Sequence, residues 1–439
     1  MEIVIDSETP PNEKLCAKYK KSFAFPTVTE RLPVIVTSII DTLVREKNEL
    51  SDECRTESKS VIGELSELKY MLQTAKPMVP FTSSEPDTEQ WNKHIKRYED
   101  QVNEQLTFYN GPWLFVECYL YRRIREIFIL SESLKEYDPF GDKKETVLTN
   151  SLPVMKPVFE HLLQDNILDT SPLKTTHLIQ EFSKLIKLCL WANRVDLSMS
   201  SGSTENCCSQ FNIEEWDDYI LSDDTEKVLN IIFSPSSPTK GEKIVDYVLD
   251  NSGLELLSDL CLADFLVTRC GVDRVRLRVK RIPWFVSDVT CNDLEHTLKV
   301  FSDSQSQHCR TLSQRWREYI DKGKWTVTGD VFWTLGLSYD EMQEADPELY
   351  SELEKAALII FKGDLNYRKL IQDTAWAPGT SLSSALGRFH PGPLVAIRTL
   401  KADTVAGIEP DVYEATSKKS PDWQISGQYG LIQFDSDVQ

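Results

Sequence analysis

Residues 244–260 of the chain, "IVDYVLDNSGLELLSDL", change from one structural pattern to another within a few positions. Residues 244–249 are rich in the β-branched and aromatic side chains of a buried strand, whereas the apolar side chains after residue 253 recur at helical spacing. Asp-Asn-Ser-Gly, at 250–253, is typical of a tight turn. The stretch therefore predicts a strand that turns directly into a helix.

Further strand patterns follow in the second half of the chain, and helical patterns separate several of them. This alternation predicts an α/β fold in which helices cover a mostly parallel sheet. The candidate strands are Lys243–Leu249, Val275–Lys280, Ala357–Phe361, Leu394–Arg398 and Tyr429–Phe434.

The first 200 residues show helical patterns instead, beginning with an apolar stripe from Leu32 to Leu43 that has the spacing of one long helix. Two polar segments, "SSGSTENCCSQ" and "SPSSPTKG", separate this region from the strands. We therefore predict three parts: a helical N-terminal region at 1–200, a loop or linker at 201–242 and an α/β domain at 243–439. The other predicted helices are 52–73, Leu114–Leu130, Val154–Leu163 and Thr176–Trp191.

Composition restricts the partners and the location. Asp and Glu number 69 against 49 Lys and Arg, and the net charge of −20 opposes binding to nucleic acid. No apolar run approaches the ~18 residues that cross a bilayer, so we expect no membrane insertion. The acidic N-terminus lacks the pattern of a signal or transit peptide. We therefore expect a cytoplasmic protein, with the nucleus as a second location.

Several well-known catalytic and cofactor motifs are missing from the sequence. The ten cysteines form no C-x-x-C pair and the six histidines show no paired ligand spacing. No two glycines are separated by a single residue, which excludes G-x-G-x-x-G, and the P-loop pattern is missing as well. Any chemistry should therefore rest on carboxylates, amides and basic groups, which favours hard divalent cations over zinc.

Polar side chains follow the apolar runs at four places in the second half of the chain. Ligands of open parallel sheets bind beyond the carboxyl ends of the strands, so these positions are informative. Two of these places offer carboxylates and an amide, which are ligands for a divalent metal. The two others offer cationic side chains, which would bind a phosphorylated substrate. The residues are Asp250 and Asn251, then Asp288, then Asp364, Asn366, Tyr367 and Arg368, and finally Arg398 and Lys401.

Each place also has a purely structural interpretation, and the residues alone leave both open. Carboxylates and amides commonly cap helices and turns, and cations commonly occupy solvated faces. The structural interpretations are a turn at 250–253, a helix cap at Asp288, a turn cap at Asp364, an exposed helical face at Arg368 and Lys369, and a solvated strand end at Arg398 and Lys401.

Four segments, "VLDNSG", "WFVSD", "FKGDLNYRKL" and "IRTLKA", resemble the signature segments of the metal-dependent damage-control phosphatases. The Arg-Thr-x-Lys pattern at 398–401 is similar to the mark of the subfamily that acts on sugar phosphates. Some animal members of that subfamily are described as acidic-residue methyltransferases. The similarity covers nearly the whole chain, from "SFAFPTVTERLP" at 22–33 through "PWLFVECYLYRRIRE" and "LWANRVDLS" to "GQYGLIQFD".

The resemblance implies a helical N-terminal region packed on a three-layer α/β/α domain that binds Mn, Co, Mg or Ni. By matched position, Asp250, Asn251 and Asp288 would hold the metal and, with Lys401, carry catalysis. Glu255 and Asp288 would bind S-adenosylmethionine in the methyltransferase description, although Glu255 also suits the first turn of a helix. The residues that would bind the substrate are Asp250, Asn251, Asp364, Leu365, Asn366, Tyr367, Arg368, Arg398 and Lys401.

The expected reaction is hydrolysis of a small sugar phosphate, with fructose 1-phosphate and fructose 6-phosphate as the favoured substrates, as control of reactive phosphometabolites. Asp250 could serve as a covalent nucleophile instead of a metal ligand. One alternative function is an S-adenosylmethionine-dependent protein-glutamate carboxyl O-methyltransferase with a protein acceptor, against which the missing glycine loop argues. A second alternative is a non-catalytic binding protein that keeps the fold.

The segment "LWANRVDLS" adds two further candidates. It is similar to a family segment but has Ala192 where the family pattern leads us to expect glycine. Asn193 and Asp196 would face the site, or they would cap a loop. The residues alone leave both interpretations open.

Overall fold

The structure, a computed structural model, describes residues 4–46, 51–164, 167–169, 174–200, 213–233 and 241–437, with the backbone alone at 195–200 and 213–214. A π-helical turn, Thr27–Arg31, joins the first two helices. The helices are α1 Ala24–Pro26, α2 Leu32–Glu46, α3 Asp52–Gln73, α4 Thr88–Val102, α5 Trp113–Ile129, α6 Gly141–Gln164, α7 Thr175–Ser200, α8 Thr225–Ile232, α9 Leu254–Arg269, α10 Cys291–Asp303, α11 Gln307–Asp321, α12 Met342–Ala345, α13 Pro347–Leu353, α14 Gly363–Leu370, α15 Leu382–Leu386 and α16 Pro410–Lys419.

The strands of the described part form one sheet in the order β1-β7-β6-β5-β2-β3-β4. Strands β2 to β6 run parallel to one another, whereas β7 runs antiparallel to β6 and pairs in parallel with β1. The prediction of a mostly parallel α/β sheet is therefore confirmed. The strands are β1 Ile220–Asp223, β2 Ile244–Val248, β3 Arg274–Arg278, β4 Trp325–Thr328, β5 Leu358–Lys362, β6 Leu394–Thr399 and β7 Gly430–Asp435.

Two hydrophobic clusters cover the two faces of the sheet. Along β5, Leu358 and Ile360 point into one cluster, and Ile359 and Phe361 point into the other, as the two-residue period of a strand requires. Helices α6 to α11 supply side chains to the first of these clusters, and α2 to α5 with α12 to α15 supply the second. This arrangement confirms the three-layer α/β/α architecture.

The helical N-terminal region contributes to both outer layers, because α2 to α5 cover one face of the sheet and α6 and α7 cover the other. Residues 201–242 were predicted as a loop or linker. Within that segment, residues 213–233 form a 3₁₀ turn, strand β1 and helix α8, while 201–212 and 234–240 lie outside the described residues. The boundaries at 200 and 242 themselves stay a prediction.

The chain changes direction across the sheet between β2 and β5. After β2 it adds β3 and β4 on one side, and it then returns to add β5 and β6 on the other side. In open parallel sheets this switch point opens a crevice at the carboxyl ends of the two strands. Residues 249–253 and 363–368 follow those two strands. No helix in the described ranges is long and apolar enough to cross a membrane.

Candidate functional site

The corner after β2 is joined to the loop after β3. Asn251 forms an isolated antiparallel bridge with Asp288, the backbone N–H of Val289 donates to the Asp250 carbonyl (2.8 Å), and Ser252 N–H donates to the Ser287 carbonyl (2.7 Å). Helix α9 then begins after Gly253, whose φ of +72° favours glycine. These bonds hold the side chains of Asp250, Asn251 and Asp288 in one place.

Neither carboxylate of this corner serves as a helix cap. Helix α9 has no side-chain cap among the described residues, and α10 is capped by Thr290, which forms a capping box with Asp293. The structural interpretation of Asp288 as the cap of α10 is therefore wrong, because Thr290 occupies that position. Asp288 is 2% exposed, and its Oδ2 atom has no hydrogen-bond partner within the described chain.

The buried carboxylates at this corner carry shifted pKa values. Burial, followed by the negative charges of Asp288 and Glu255, raises the pKa of Asp250 well above its usual value. Burial also raises the pKa of Asp288 to about 6, although the Lys280 ammonium, 3.3 Å from Asp288 Oδ2, works in the opposite direction. Asn251 Nδ2 donates to Asp250 Oδ2 at 2.8 Å. The corner thus concentrates negative charge away from solvent.

Glu255, in the first turn of α9, is fully engaged by polar partners. Its Oε2 atom accepts from Asn251 Nδ2 (2.9 Å) and Asn193 Nδ2 (3.1 Å), and its Oε1 atom accepts from Lys362 Nζ (2.9 Å). Burial alone would raise the pKa of Glu255, but the Lys362 charge and these hydrogen bonds lower it below its usual value. Glu255 is therefore held as a charged carboxylate that links α7, α9 and β5.

Lys362, the last residue of β5, also binds Asp259. Its ammonium donates to Asp259 Oδ1 at 2.8 Å, and Tyr247 donates its hydroxyl to the same oxygen at 2.8 Å. Burial raises the pKa of Asp259 to about 6. The two ammonium groups, those of Lys280 and Lys362, face four buried carboxylates, those of Asp250, Glu255, Asp259 and Asp288. Lys280 pairs with Asp288 and Lys362 with Glu255 and Asp259, whereas Asp250 has no ion pair within the described chain.

This donor set fits a hard divalent cation. The described residues contain no group of three or more His, Cys, Asp or Glu side chains arranged for a metal ion. Asp250, Asn251 and Asp288 instead offer two carboxylates and one amide oxygen, which are the ligands that Mg²⁺ and Mn²⁺ accept together with water. Asp250 has no ion pair within the described chain, and Asp288 Oδ2 accepts no hydrogen bond although Lys280 Nζ lies 3.3 Å away, so a cation bound here would complete both carboxylates.

The corner after β5 packs directly on Asp250. A Cβ atom at Gly363 would lie 1.9 Å from Asp250 Oδ2, and the φ of Gly363 is +84°. Asn366 ties the two corners together, because its Nδ2 donates to the carbonyls of Lys362 (2.8 Å) and Leu249 (3.2 Å), and its Oδ1 accepts from the Tyr339 hydroxyl (2.7 Å). The Asn366 amide is thus engaged within the fold.

Arg398 fixes the loop after β6. It is fully buried, and its Nε and Nη2 atoms each lie 2.8 Å from Asp364 Oδ1, which also accepts from the Lys401 backbone N–H (3.1 Å). Burial would raise the pKa of Asp364, but the Arg398 charge lowers it. The interpretation of Arg398 as a solvated strand end is therefore wrong, because its guanidinium lies inside the protein.

Lys401 reaches the carboxylate cluster from the opposite side. Its ammonium donates to Asn193 Oδ1, and Asn193 in turn donates to Glu255. Burial lowers the pKa of Lys401, while the charges of Glu255, Asp364 and Asp250 raise it. Asn193 therefore faces the site, as one interpretation of "LWANRVDLS" predicted, and the side chain of Asp196 lies outside the described residues.

Three other candidates of α14 have partners within the fold. Leu365 packs in the core, and the Tyr367 hydroxyl donates to Gln433 Oε1 (2.7 Å). Arg368 donates to Asp373 Oδ1 (2.8 Å) and Glu117 Oε2 (2.7 Å). An exposed helical face at Arg368 and Lys369 was wrong, because both residues are buried against α5 and its neighbours. Direct substrate contacts of 365–368 stay a prediction.

Replacement of Arg368 by Gln should act mainly on stability. The change would leave Glu117 and Asp373 buried without their cation. We therefore expect the free energy of unfolding, measured in denaturant, to fall by about 3–5 kcal/mol. The surface variant Arg45→Gln, which loses an exposed pair with Asp41 and a long hydrogen bond to Thr42 Oγ1 (3.4 Å), should cost less than about 1 kcal/mol. A raised KM at unchanged stability would instead assign the Arg368 side chain to the substrate.

Sequence reasoning missed the two lysines that balance the cluster. Lys280 lies two positions after the end of β3 and Lys362 is the last residue of β5, and their buried ammonium groups pair with carboxylates from other elements. A polar residue at the end of an apolar run was the available signal, the same one that selected Asp250. The same signal also selected Lys401, but it did not select Lys280 or Lys362.

A family model described as "Damage-control phosphatase ARMT1-like domain" matches residues 27–416. The chain belongs to this family. The prediction of a damage-control phosphatase family from four short segments is thereby confirmed.

Curated relatives match over almost their whole length, and each bears the name "Damage-control phosphatase ARMT1". The protein of Xenopus tropicalis is 37% identical over 441 residues, covering 98% of this chain and 100% of the relative. The protein of Homo sapiens is 38% identical, covering 94% of this chain and 96% of the relative. The protein of Mus musculus is also 38% identical, covering 96% of this chain and 98% of the relative. A solved DUF89 family protein of Pyrococcus horikoshii is 15% identical, with a TM-score of 0.41 over 80% of this chain and 91% of its own.

Proposed function

We propose that this member of the damage-control phosphatase family is a metal-dependent hydrolase of small sugar phosphates, with fructose 1-phosphate and fructose 6-phosphate as substrates. The observation that carries the proposal is the buried, negatively charged corner of Asp250, Asn251 and Asp288 facing the Lys401 ammonium at the switch point of the sheet. A metal and a phosphoryl group together would satisfy both sides of this arrangement.

The roles of the side chains follow from their partners. A divalent cation held by Asp250, Asn251 and Asp288 would neutralise phosphoryl charge and activate water. Lys401 would balance the remaining charge of the phosphoryl group, and Asn193 orients its ammonium. The first backbone N–H groups of α9 lie at the same corner and add a favourable dipole for an anion.

One assay separates the proposed reaction from its alternatives. Metal-stripped protein is supplied with Mn²⁺ or Co²⁺ and a panel of sugar phosphates, and in parallel with labelled S-adenosylmethionine and a protein acceptor. Phosphate release that requires the metal supports the proposal. Methyl transfer without phosphate release would replace it with the methyltransferase alternative. If the protein shows neither activity, the non-catalytic binding protein would be the supported alternative. Acid-quench trapping of a phosphoaspartate at Asp250 would assign that residue as the nucleophile.

Lys401→Met should weaken hydrolysis without removing the metal. Loss of the charge that faces the phosphoryl group is expected to lower kcat/KM by about a hundredfold, equivalent to roughly 3 kcal/mol. The matched control is Lys418→Met, because Lys418 pairs only with Glu414 on the exposed face of α16. Mn²⁺ affinity, measured by calorimetry, should stay the same in both variants. Unchanged kinetics in Lys401→Met would remove Lys401 from the site.

A further inference from the structure

The start of the helical N-terminal region is anchored beside Lys401. The backbone N–H of Phe23 donates to Asp403 Oδ2 at 2.7 Å, and the Ser22 hydroxyl donates to the same atom at 3.3 Å. From this anchor the helical segment runs through the π turn to Arg31, about 12 Å further along its axis at 1.5 Å per residue. Single π turns within helices are frequent at functional sites.

Arg31 is an exposed cation without a carboxylate of its own. The described residues give it no hydrogen bond or ion pair, although acidic residues outnumber basic ones in this chain. After burial, which acts most strongly, the Arg31 charge also lowers the pKa of Lys401. The carboxylates that act on Lys401 do not pair with Arg31, so an anion bound between the two cations would be attracted by both.

Tyr121 of α5 lies beside Asp288 and within reach of the same charge. Its hydroxyl is buried and has no hydrogen-bond partner in the described ranges. Burial raises the pKa of Tyr121, and the negative charges of Glu117 and Asp288 raise it further. The Arg31 charge acts in the opposite direction. The Tyr121 ring also lies 5.9 Å from the ring of Trp284, whose carbonyl accepts from the Asp288 N–H (3.1 Å), so Tyr121 packs on the loop that carries Asp288. An unpaired buried hydroxyl is unfavourable relative to a paired one, so a ligand oxygen that accepts from it would be stabilised.

The loop against Tyr121 is strained. The Tyr121 ring stacks on Phe285 with centroids 4.5 Å apart and planes at 25°. Phe285 and Val286 have φ values of 42° and 72°, which side chains other than glycine rarely adopt, and they lie just before Asp288. Backbone strain of this kind clusters at ligand-binding sites. A strained loop and an unpaired hydroxyl thus meet beside the carboxylate corner, and the charge of the unpaired Arg31 guanidinium acts on both Tyr121 and Lys401.

We infer that Arg31 and Tyr121 form the helical region's half of the substrate site. Arg31 binds the phosphoryl group opposite Lys401, and the Tyr121 hydroxyl donates to a sugar oxygen of the substrate beside Asp288. This assignment rests on the proposed phosphatase function. It gives the helical region a direct part in selecting small phosphate esters, because both ends of the substrate contact helices that pack on the sheet from outside.

The test for Arg31 compares Arg31→Gln, Arg31→Lys and the surface control Arg45→Gln on the neighbouring helix α2. We expect Arg31→Gln to raise KM for fructose 1-phosphate and Ki for inorganic phosphate together, by about ten- to a hundredfold, because a charged hydrogen bond is lost. Arg31→Lys should restore most of the affinity, and Arg45→Gln should match the wild type. The melting temperature should stay unchanged in all three.

Tyr121→Phe removes only the hydroxyl and tests the second contact. We expect KM for the sugar phosphate to rise about tenfold with Ki for inorganic phosphate unchanged, since phosphate alone lacks the sugar oxygens. The melting temperature should stay the same or rise, because an unpaired buried hydroxyl is removed. An unchanged KM would remove Tyr121 from the site.

Failure of the inference is distinguishable from failure of the proposed function. If the wild type hydrolyses sugar phosphates and Arg31→Gln leaves KM and Ki unchanged, the inference is wrong and the function stands. If the wild type hydrolyses none, calorimetric titration of inorganic phosphate into Mn²⁺-supplied protein still tests Arg31. Weaker binding in Arg31→Gln supports the assignment, and equal binding or no binding to the wild type overturns it.

Discussion

Asp250→Asn should lower the rate of metal-dependent phosphate release about a thousandfold, and the protein should remain folded. The loss corresponds to the several kcal/mol of charge stabilisation that a catalytic metal provides. The same change removes one of several clustered buried carboxylates whose mutual repulsion disfavours the charged state. We therefore expect the metal-free variant to melt at the same temperature as the wild type or higher.

The matched control for Asp250→Asn is Asp246→Asn, four residues earlier and within strand β2 itself. Asp246 is equally buried, but its Oδ1 atom accepts from Arg276 Nε (2.9 Å) and Arg278 Nε (2.8 Å), so its charge is already balanced. Asp246→Asn should lower stability and leave the folded enzyme active. Asp250 would be a structural residue if Asp250→Asn destabilised the protein as much as Asp246→Asn and kept the wild-type turnover.

Gly363→Ala should damage both stability and activity, because no side chain fits between β5 and Asp250. The new methyl group would displace the Asp250 carboxylate, and the positive φ adds strain. We expect a stability loss of about 3 kcal/mol from overpacking and backbone strain together. Activity should fall about a hundredfold, since a 1 Å displacement of a catalytic group costs that much.

Gly271→Ala separates strain from steric overlap. Gly271 has a φ of +64°, close to the value of Gly363, but a Cβ there would meet no atom of the described chain within 4 Å. Its replacement should cost about 1 kcal/mol and leave turnover unchanged. If Gly363→Ala and Gly271→Ala had equal effects on stability and turnover, displacement of the Asp250 carboxylate by the new methyl group would have no effect on the enzyme.

Local sequence patterns were sufficient for the central part of the fold. The stretch at 244–260 folds as predicted into β2, a tight corner and α9, because strand and helix periods are properties of neighbouring residues. The edge strands β1 and β4 were not predicted. Each has four residues, several of them only partly buried, so their apolar patterns are short and weak.

The partners of the candidate side chains could not be predicted from local patterns. The polar residues of "GDLNYRK" were predicted together at the site, but the helical rotation of α14 points them in different directions. Asp364 meets Arg398, while Arg368 meets Glu117, which lies 251 positions away in sequence. Only the packing of α5 over the sheet places Glu117 there. The resemblance identified these segments without distinguishing the partners of their side chains.

Titration of Mn²⁺ into metal-stripped wild type and Asp250→Asn tests the assignment of Asp250 to the metal site. Heat of binding and phosphate release from fructose 1-phosphate are followed together. We predict that phosphate release in the wild type rises in proportion to the occupied metal site, and that Asp250→Asn shows neither this binding nor release. Phosphate release that needs no metal, or that survives in Asp250→Asn, would contradict the assignment of the strand-end corner as the catalytic metal site.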